Sequence, residues 1–142
     1  MDPNYERVKE ILEKHGIRPT SQRLEMANLI LKEHQHLQAE EVFHLVNNHF
    51  PHASRATIFN NLKLFSEKGI LGTLEVKAGV THFDSNRSRH HHAVLESTGA
   101  IVDVELSETL EEQVLKELSK SFEQKTGRKL ENSKLVITLK GD

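Results

Sequence analysis

A chain of 142 residues and 16.2 kDa has room for one domain or two small ones, since independent domains extend down to about 50 residues. With 36% hydrophobic and 28% charged residues, no apolar run near the roughly 18 residues of a membrane span, and no apolar signal stretch within Met1 to Glu10, the chain reads as a soluble cytoplasmic protein. The absence of cysteine excludes disulfides, thiolate zinc sites and thiol redox sensing, while a net charge of -2 leaves nucleic-acid binding to local rather than global potential.

Tyr5, Val8, Ile11 and Leu12 recur at helical spacing and Gly16 follows as a stop, predicting a first helix. Beyond Pro19, Thr20 or Ser21 caps a second helix whose Leu24, Ala27, Ile30 and Leu31 form an apolar stripe, ending near Lys32 to Gln35. A third helix is expected from about Ala39 to His49, with Val42, Phe43 and Val46 inward and Phe50-Pro51 as its break. Ser54 caps a fourth, with Ile58, Leu62 and Phe65 buried and Gly69 closing it. The period then changes, because Ile70 to Val76 and Val80 to Asp84 are β-prone runs joined through Lys77-Ala78-Gly79, a hairpin. Three helices and a two-stranded wing, preceded by an extra helix, make a winged helix-turn-helix.

Ser85 to Arg89 is polar and irregular and reads as a linker. Past it come a strand (His90 to Glu96), a turn at Thr98-Gly99 and a second strand (Ile101 to Leu106). A helix capped by Ser107 follows, with an apolar face of Leu110, Val114, Leu118 and Phe122 and an end at Gly127, then a last strand over Leu135 to Leu139. The expected class is α+β: a winged-helix DNA-binding unit over 1–84, a linker over 85–89, and a small β-β-α-β unit over 90–142. So small a sheet has too little core and an open edge, which predicts dimerisation through the second unit.

The segment His52 to Lys63 opens the fourth helix with side chains suited to nucleic acid. Arg55 can bind guanine bidentately and Asn60 and Asn61 adenine, while Ser54, Thr57 and Lys63 suit phosphate oxygens near a helix N-terminus. A lone polar helix would be a solvated face; its place after two helices and before a wing favours a recognition helix on double-stranded DNA.

In a cysteine-free chain, His36, Asp84, His90, His92 and Asp103 form a scattered set of hard and borderline ligands. Imidazole with carboxylate suits Fe²⁺, Mn²⁺ or Zn²⁺ better than Cu⁺ or an iron-sulfur cluster. His90 and His92 share one face of a strand while His91 points away, and Asp103 on the next strand can pair beside them. Singly, each could be a solvated surface residue or, for Asp103, an edge-guarding charge; alternating histidines with a paired carboxylate favour a site. An ion bound by all five would clamp the two units together. His15, His34, His44, His49, His52 and His82 lack a carboxylate partner at metal spacing and read as surface histidines.

Gly16 to Arg23, His36 to Phe43, Ala56 to Leu62, His82-Phe83-Asp84, His90 to Ala93 and Gly99 to Asp103 together resemble the ferric uptake regulator (Fur) family of bacterial metal-dependent repressors, over nearly the whole chain. The resemblance is closest to its peroxide-sensing branch, PerR, in which Asp stands at the position of Asp84 where the iron-sensing branch has Glu. It implies that His36, Asp84, His90, His92 and Asp103 match the regulatory-metal ligands for Fe²⁺ or Mn²⁺, with Zn²⁺ able to occupy the site in vitro. It further implies a homodimer on a palindromic operator, released when peroxide oxidises an iron-bound imidazole, His36 or His90.

The chain departs from the family's pattern in three places. Leu95 and Thr98 stand where relatives carry the first CxxC pair, so no structural zinc held by four cysteines is expected. Phe59 replaces the usual Tyr, losing a hydroxyl contact but keeping a ring for a thymine methyl. Arg89 and Asn132 or Ser133 fall near a secondary metal site, leaving one regulatory site per subunit. Two alternatives are an iron- or manganese-responsive repressor without peroxide sensing and a non-haem metal enzyme, which would need an open coordination position. A third, a winged-helix module for a protein partner, leaves the His/Asp set unexplained.

Overall fold

The computed structural model describes residues 3–130 and 135–139. The chain forms two compact units, Met1–Arg87 and Ser88–Asp142. No helix among the described residues is long and apolar enough to cross a membrane.

The first unit is built from α1 (Pro3–Lys14), α2 (Ser21–Leu31), β1 (His36–Leu37), α3 (Ala39–His49), α4 (Arg55–Glu67), β2 (Gly72–Lys77) and β3 (Val80–Asp84). Its core gathers Val8, Ile11 and Leu12 of α1, Met26, Ala27 and Ile30 of α2, Val42 and Val46 of α3, and Ile58, Leu62 and Phe65 of α4. Helix α2 packs against both α1 and α3, so its buried arc includes Met26, while Leu24 and Leu31 of the expected stripe are only half-buried. Thr20 is the cap of α2, its hydroxyl accepting the Arg23 N–H at 3.3 Å, which resolves the choice between Thr20 and Ser21. The Glu41 carboxylate accepts the Gln38 N–H at 3.1 Å and so satisfies the start of α3. Ser54 caps α4 by accepting the Thr57 N–H at 3.1 Å.

The wing is the β2–β3 hairpin, turned at Gly79, whose φ of +79° is the left-handed region glycine tolerates. The unexpected element is β1. It is two residues long, falls where the sequence places His36 among helices, and pairs antiparallel with β3, giving the order β1-β3-β2.

The second unit comprises β4 (His91–Leu95), β5 (Ile101–Val104), α5 (Glu108–Thr126) and β6 (Val136–Leu139). The strands are shorter than expected, because the β4–β5 ladder runs only from His91↔Val104 to Val94↔Ile101. The order is β5-β4-β6, with β6 parallel to the central β4. Ser107 caps α5 by accepting the Leu110 N–H at 3.3 Å, and Gly127 ends it at φ +71° with its N–H on the Glu123 carbonyl.

Helix α5 buries no side chain. Leu110, Leu118 and Phe122 stay exposed along it, as do Val102 of β5 and Val136, Ile137 and Leu139 of β6. Val94 is the buried hydrophobic residue among the described residues of this unit. Apolar stabilisation is therefore concentrated in the first unit. Phe65→Ala, which empties a 1%-exposed core position, should lower the stability of that unit by about 3–5 kcal/mol in urea unfolding; a loss under ~1 kcal/mol would show that Phe65 does not anchor the core.

Candidate functional site

The pairing of β1 with β3 sets His36 directly opposite Asp84. The His36 Nε2 lies 3.7 Å from Asp84 Oδ1, with the side chains 11% and 2% exposed. Two neighbours hold this end of the sheet. Ser85 Oγ accepts the Gln35 N–H at 2.9 Å and donates to the Glu33 carbonyl at 2.8 Å, and the Ser85 N–H donates to the Gln35 carbonyl at 3.1 Å. The Asn86 N–H donates to Asp84 Oδ1 at 3.0 Å, fixing the carboxylate. Ser85 and Asn86, which the sequence places in an irregular linker, are thus buried positioning residues. The signal for them was weak: a Ser and an Asn after a strand read equally well as turn residues.

The second unit gathers the other three candidates. His92 faces Asp103 across the β4–β5 ladder. The two imidazole Nε2 atoms of His90 and His92 are 3.1 Å apart, and each faces Asp103 Oδ1, at 3.4 and 3.6 Å. The His90 Nδ1 lies 2.6 Å from the Ser88 carbonyl, which can only accept, so Nδ1 carries a proton and Nε2 is the nitrogen left to face a cation. Ligands held about 2.1 Å from one ion at angles of 90–120° stand about 3.0–3.6 Å apart, and these three atoms meet that spacing. Two imidazoles and a carboxylate without thiolate form a donor set for Fe²⁺, Mn²⁺ or Zn²⁺.

His91 turns to the opposite face and is buried there. Its Nδ1 accepts the Leu135 N–H at 3.0 Å, which places its proton on Nε2, 3.2 Å from Glu111 Oε2. Glu111 is also bonded to Arg89 Nε. This network joins β4 to α5 and to the start of β6, a role that the sequence does not announce beyond the alternation that sends His91 away from its neighbours. The Arg89 guanidinium holds the Glu111 carboxyl below the ordinary glutamate range, against a smaller opposing effect of burial, and His91 adds to the lowering. Asn132 and Ser133 lie outside the described residues.

On α4 the nucleic-acid candidates divide. Ser54, Arg55, Asn60 and Lys63 are exposed, and Thr57 and Phe59 are half-buried. Asn61 is only 8% exposed, and its Oδ1 accepts Arg23 Nε at 3.1 Å, while Arg23 Nη1 donates to the Arg18 carbonyl. Asn61 therefore organises the loop before α2 from inside. Lys63 lies 3.8 Å from Glu67 one turn on. Of the remaining histidines, His34, His44, His49 and His52 are exposed, whereas His15 and His82 are half-buried and His82 Nδ1 has no hydrogen-bond partner among the described residues.

A helical unit with a β-wing, joined in one chain to a small sheet bearing clustered imidazole and carboxylate donors, defines a winged-helix protein with a candidate metal site. A family model described as the Ferric uptake regulator family matches residues 14–138. A peroxide-responsive repressor PerR of Staphylococcus epidermidis is 35% identical over 103 residues, 72% of this chain and 69% of that protein. One of Staphylococcus aureus is 37% identical over 92 residues, 65% of this chain and 62% of its own length. The matched stretch thus spans about two thirds of these relatives. The ferric uptake regulator of Pseudomonas aeruginosa, solved with manganese, shares the fold at a TM-score of 0.70 and 22% identity, over 94% of this chain and 96% of that one. The chain belongs to the ferric uptake regulator family, whose members are metal-responsive transcriptional repressors and not enzymes.

A depressed pKa on Glu111 means that its charged form contributes stability at neutral pH, lost as pH falls through the carboxylate range near 4 and below. Glu111→Gln should therefore be less stable than the unaltered chain at about pH 7, with the gap closing toward about pH 3 in urea midpoints. A gap of equal size at both pH values would assign the loss to packing.

Proposed function

We propose that this chain is a dimeric repressor whose DNA affinity is set by one regulatory ion per subunit, Fe²⁺ or Mn²⁺ in the cell, and which hydrogen peroxide releases from its operator. The observation that carries the reading is that two antiparallel ladders each juxtapose an imidazole and a carboxylate, His36 with Asp84 in the winged-helix unit and His92 with Asp103 in the second. Each set is short of a full coordination shell, and one ion taking ligands from both would couple metal binding to the placement of α4. Membership in the family and the peroxide-responsive relatives support this assignment. The exposed apolar stripe of α5 and the open β5 and β6 edges supply the surface that a second copy would cover, giving a two-fold protein for a palindromic double-stranded operator. Ser54, Arg55, Thr57, Phe59, Asn60 and Lys63 would meet the DNA, with Asn61 supporting Arg23 behind them.

An ion can shift the closed form only by its differential affinity, so a coupling of ~1–3 kcal/mol, roughly 5- to 150-fold in operator binding, is expected on adding Mn²⁺. Fluorescence anisotropy on a selected operator should show that stimulation in the unaltered chain and none in His36→Ala or Asp84→Ala. Full stimulation in either variant would refute the shared-ion assignment.

Fe²⁺, if held by His36, Asp84, His90, His92 and Asp103, would supply redox chemistry toward hydrogen peroxide: overall, one oxygen would pass to a ligand imidazole and water would leave. The chain offers few other targets there: it has no cysteine, and Met26 is 2% exposed in the helical core. His36 or His90 should gain one oxygen by peptide mass spectrometry after mild peroxide treatment of the Fe²⁺ form, and not of the Mn²⁺ form. Equal oxidation in both forms, or oxygen on Met26 alone, would leave a metal-responsive repressor that does not sense peroxide.

A further inference from the structure

Arg55 breaks a local preference. It is the first residue of α4, where the helix dipole favours acidic side chains, and the first turn of α4 has none. Its guanidinium carbon stands 4.1 Å from the Phe43 ring centroid and 5.6 Å from that of Phe59, the two rings meeting edge to face at 6.3 Å. Its Nη1 is bonded to Glu40 Oε1, from the first turn of α3. A side chain that solvent would leave free to swing is thus held by two rings and a carboxylate.

Folding stability gives little reason for the Glu40 pairing. The Arg55 and Glu40 side chains are 51% and 60% exposed, and an ion pair so open to water contributes little. A local rule broken for so small a return in stability points to a functional position. What the contacts do supply is restraint. A guanidinium reads guanine through two parallel N–H donors, so it discriminates only when it is held; the Phe43 ring lies 4.1 Å from the guanidinium carbon and Glu40 takes Nη1, two contacts that limit how the group can turn. Glu40 also places a negative charge beside the reading helix, which lowers attraction to phosphates of any sequence.

We propose that Glu40 is a positioning residue for base selection: with Phe43 it fixes Arg55 in one orientation, so that Arg55 selects guanine at one position of the bound site while sequence-independent affinity is kept low. The inference rests on the reading of α4 as the DNA-contacting helix and names the pair of residues that would set its selectivity.

The test is selection of a randomised DNA duplex pool by the intact chain with Mn²⁺, followed by affinity measurements across a salt series. The unaltered chain should enrich a motif containing a guanine position that Arg55→Ala flattens. Glu40→Gln should lower the guanine preference at that same position by about tenfold, raise affinity for unrelated duplex and leave the melting temperature unchanged. Glu40→Asp, which keeps the charge, should recover part of the preference. In the Arg55→Ala background, Glu40→Gln should no longer alter base preference, because its effect passes through Arg55. A Glu40→Gln variant that binds all sequences more tightly with the guanine preference intact would overturn the proposal and leave Glu40 as a charge that only repels DNA. No enriched motif with the unaltered chain would overturn the DNA-reading assignment itself, and this inference with it.

Discussion

Strand register decides which polar side chains meet in this protein. In both sheets an antiparallel ladder sets one imidazole opposite one carboxylate, His36 with Asp84 and His92 with Asp103. Side chains alternate across a strand with a period of two, so a slip of one residue would send either carboxylate to the other face. These four side chains do not hold that register themselves. In the first unit the bonds of Ser85 to Glu33 and Gln35 extend the short β1–β3 pairing by backbone and hydroxyl contacts. In the second, β6 pairs with the far side of β4, so the strand that carries His92 is central and fixed on both edges. Backbone hydrogen bonds thus pre-organise donor atoms whose mutual approach gains little until a cation joins them.

The two units meet the cost of ordering a chain by different means. The first closes an apolar core drawn from four helices, with Leu12, Met26, Val42 and Phe65 almost wholly buried in it. Among its described residues the second encloses almost no apolar volume, and its links across the sheet include a polar chain from Arg89 through Glu111 and His91 to the Leu135 N–H. Such a network specifies geometry better than it supplies stability, since each hydrogen bond replaces one made to water. The exposed leucines and Phe122 of α5 are the natural remedy, because burying them against a second copy would give the unit the core it lacks.

Most of the helical architecture was legible because apolar periodicity and caps agree: Ser54 and Ser107 cap where they were placed, and Ile58, Leu62 and Phe65 are buried as their spacing requires. What escaped had no periodicity to show. A two-residue strand such as β1 is shorter than any alternation pattern, and only its partner β3 makes it a strand. Asn61 illustrates a different failure. By residue type it matches Asn60, yet its position three after Ile58 and four before Phe65 puts it on the buried stripe, so helical phase was the better guide to its surroundings. The Arg55–Glu40 pair joins residues 15 apart on different helices, a contact that no local rule anticipates.

The run His90-His91-His92 shows how a polar segment survives inside a sheet. All three are at most 2% exposed, where a central strand would ordinarily carry aliphatic residues. Burying three imidazoles is tolerable only if their nitrogens find partners, and the pleat divides that demand between two faces. His91 answers it with the Leu135 N–H and Glu111 on one side. On the other, His90 uses the Ser88 carbonyl for Nδ1 and turns Nε2 toward His92 and Asp103. An aliphatic strand would be the more stable choice for the sheet alone, so the stability of the sheet does not account for three consecutive histidines; the two that face Asp103 are those the proposed ion would use.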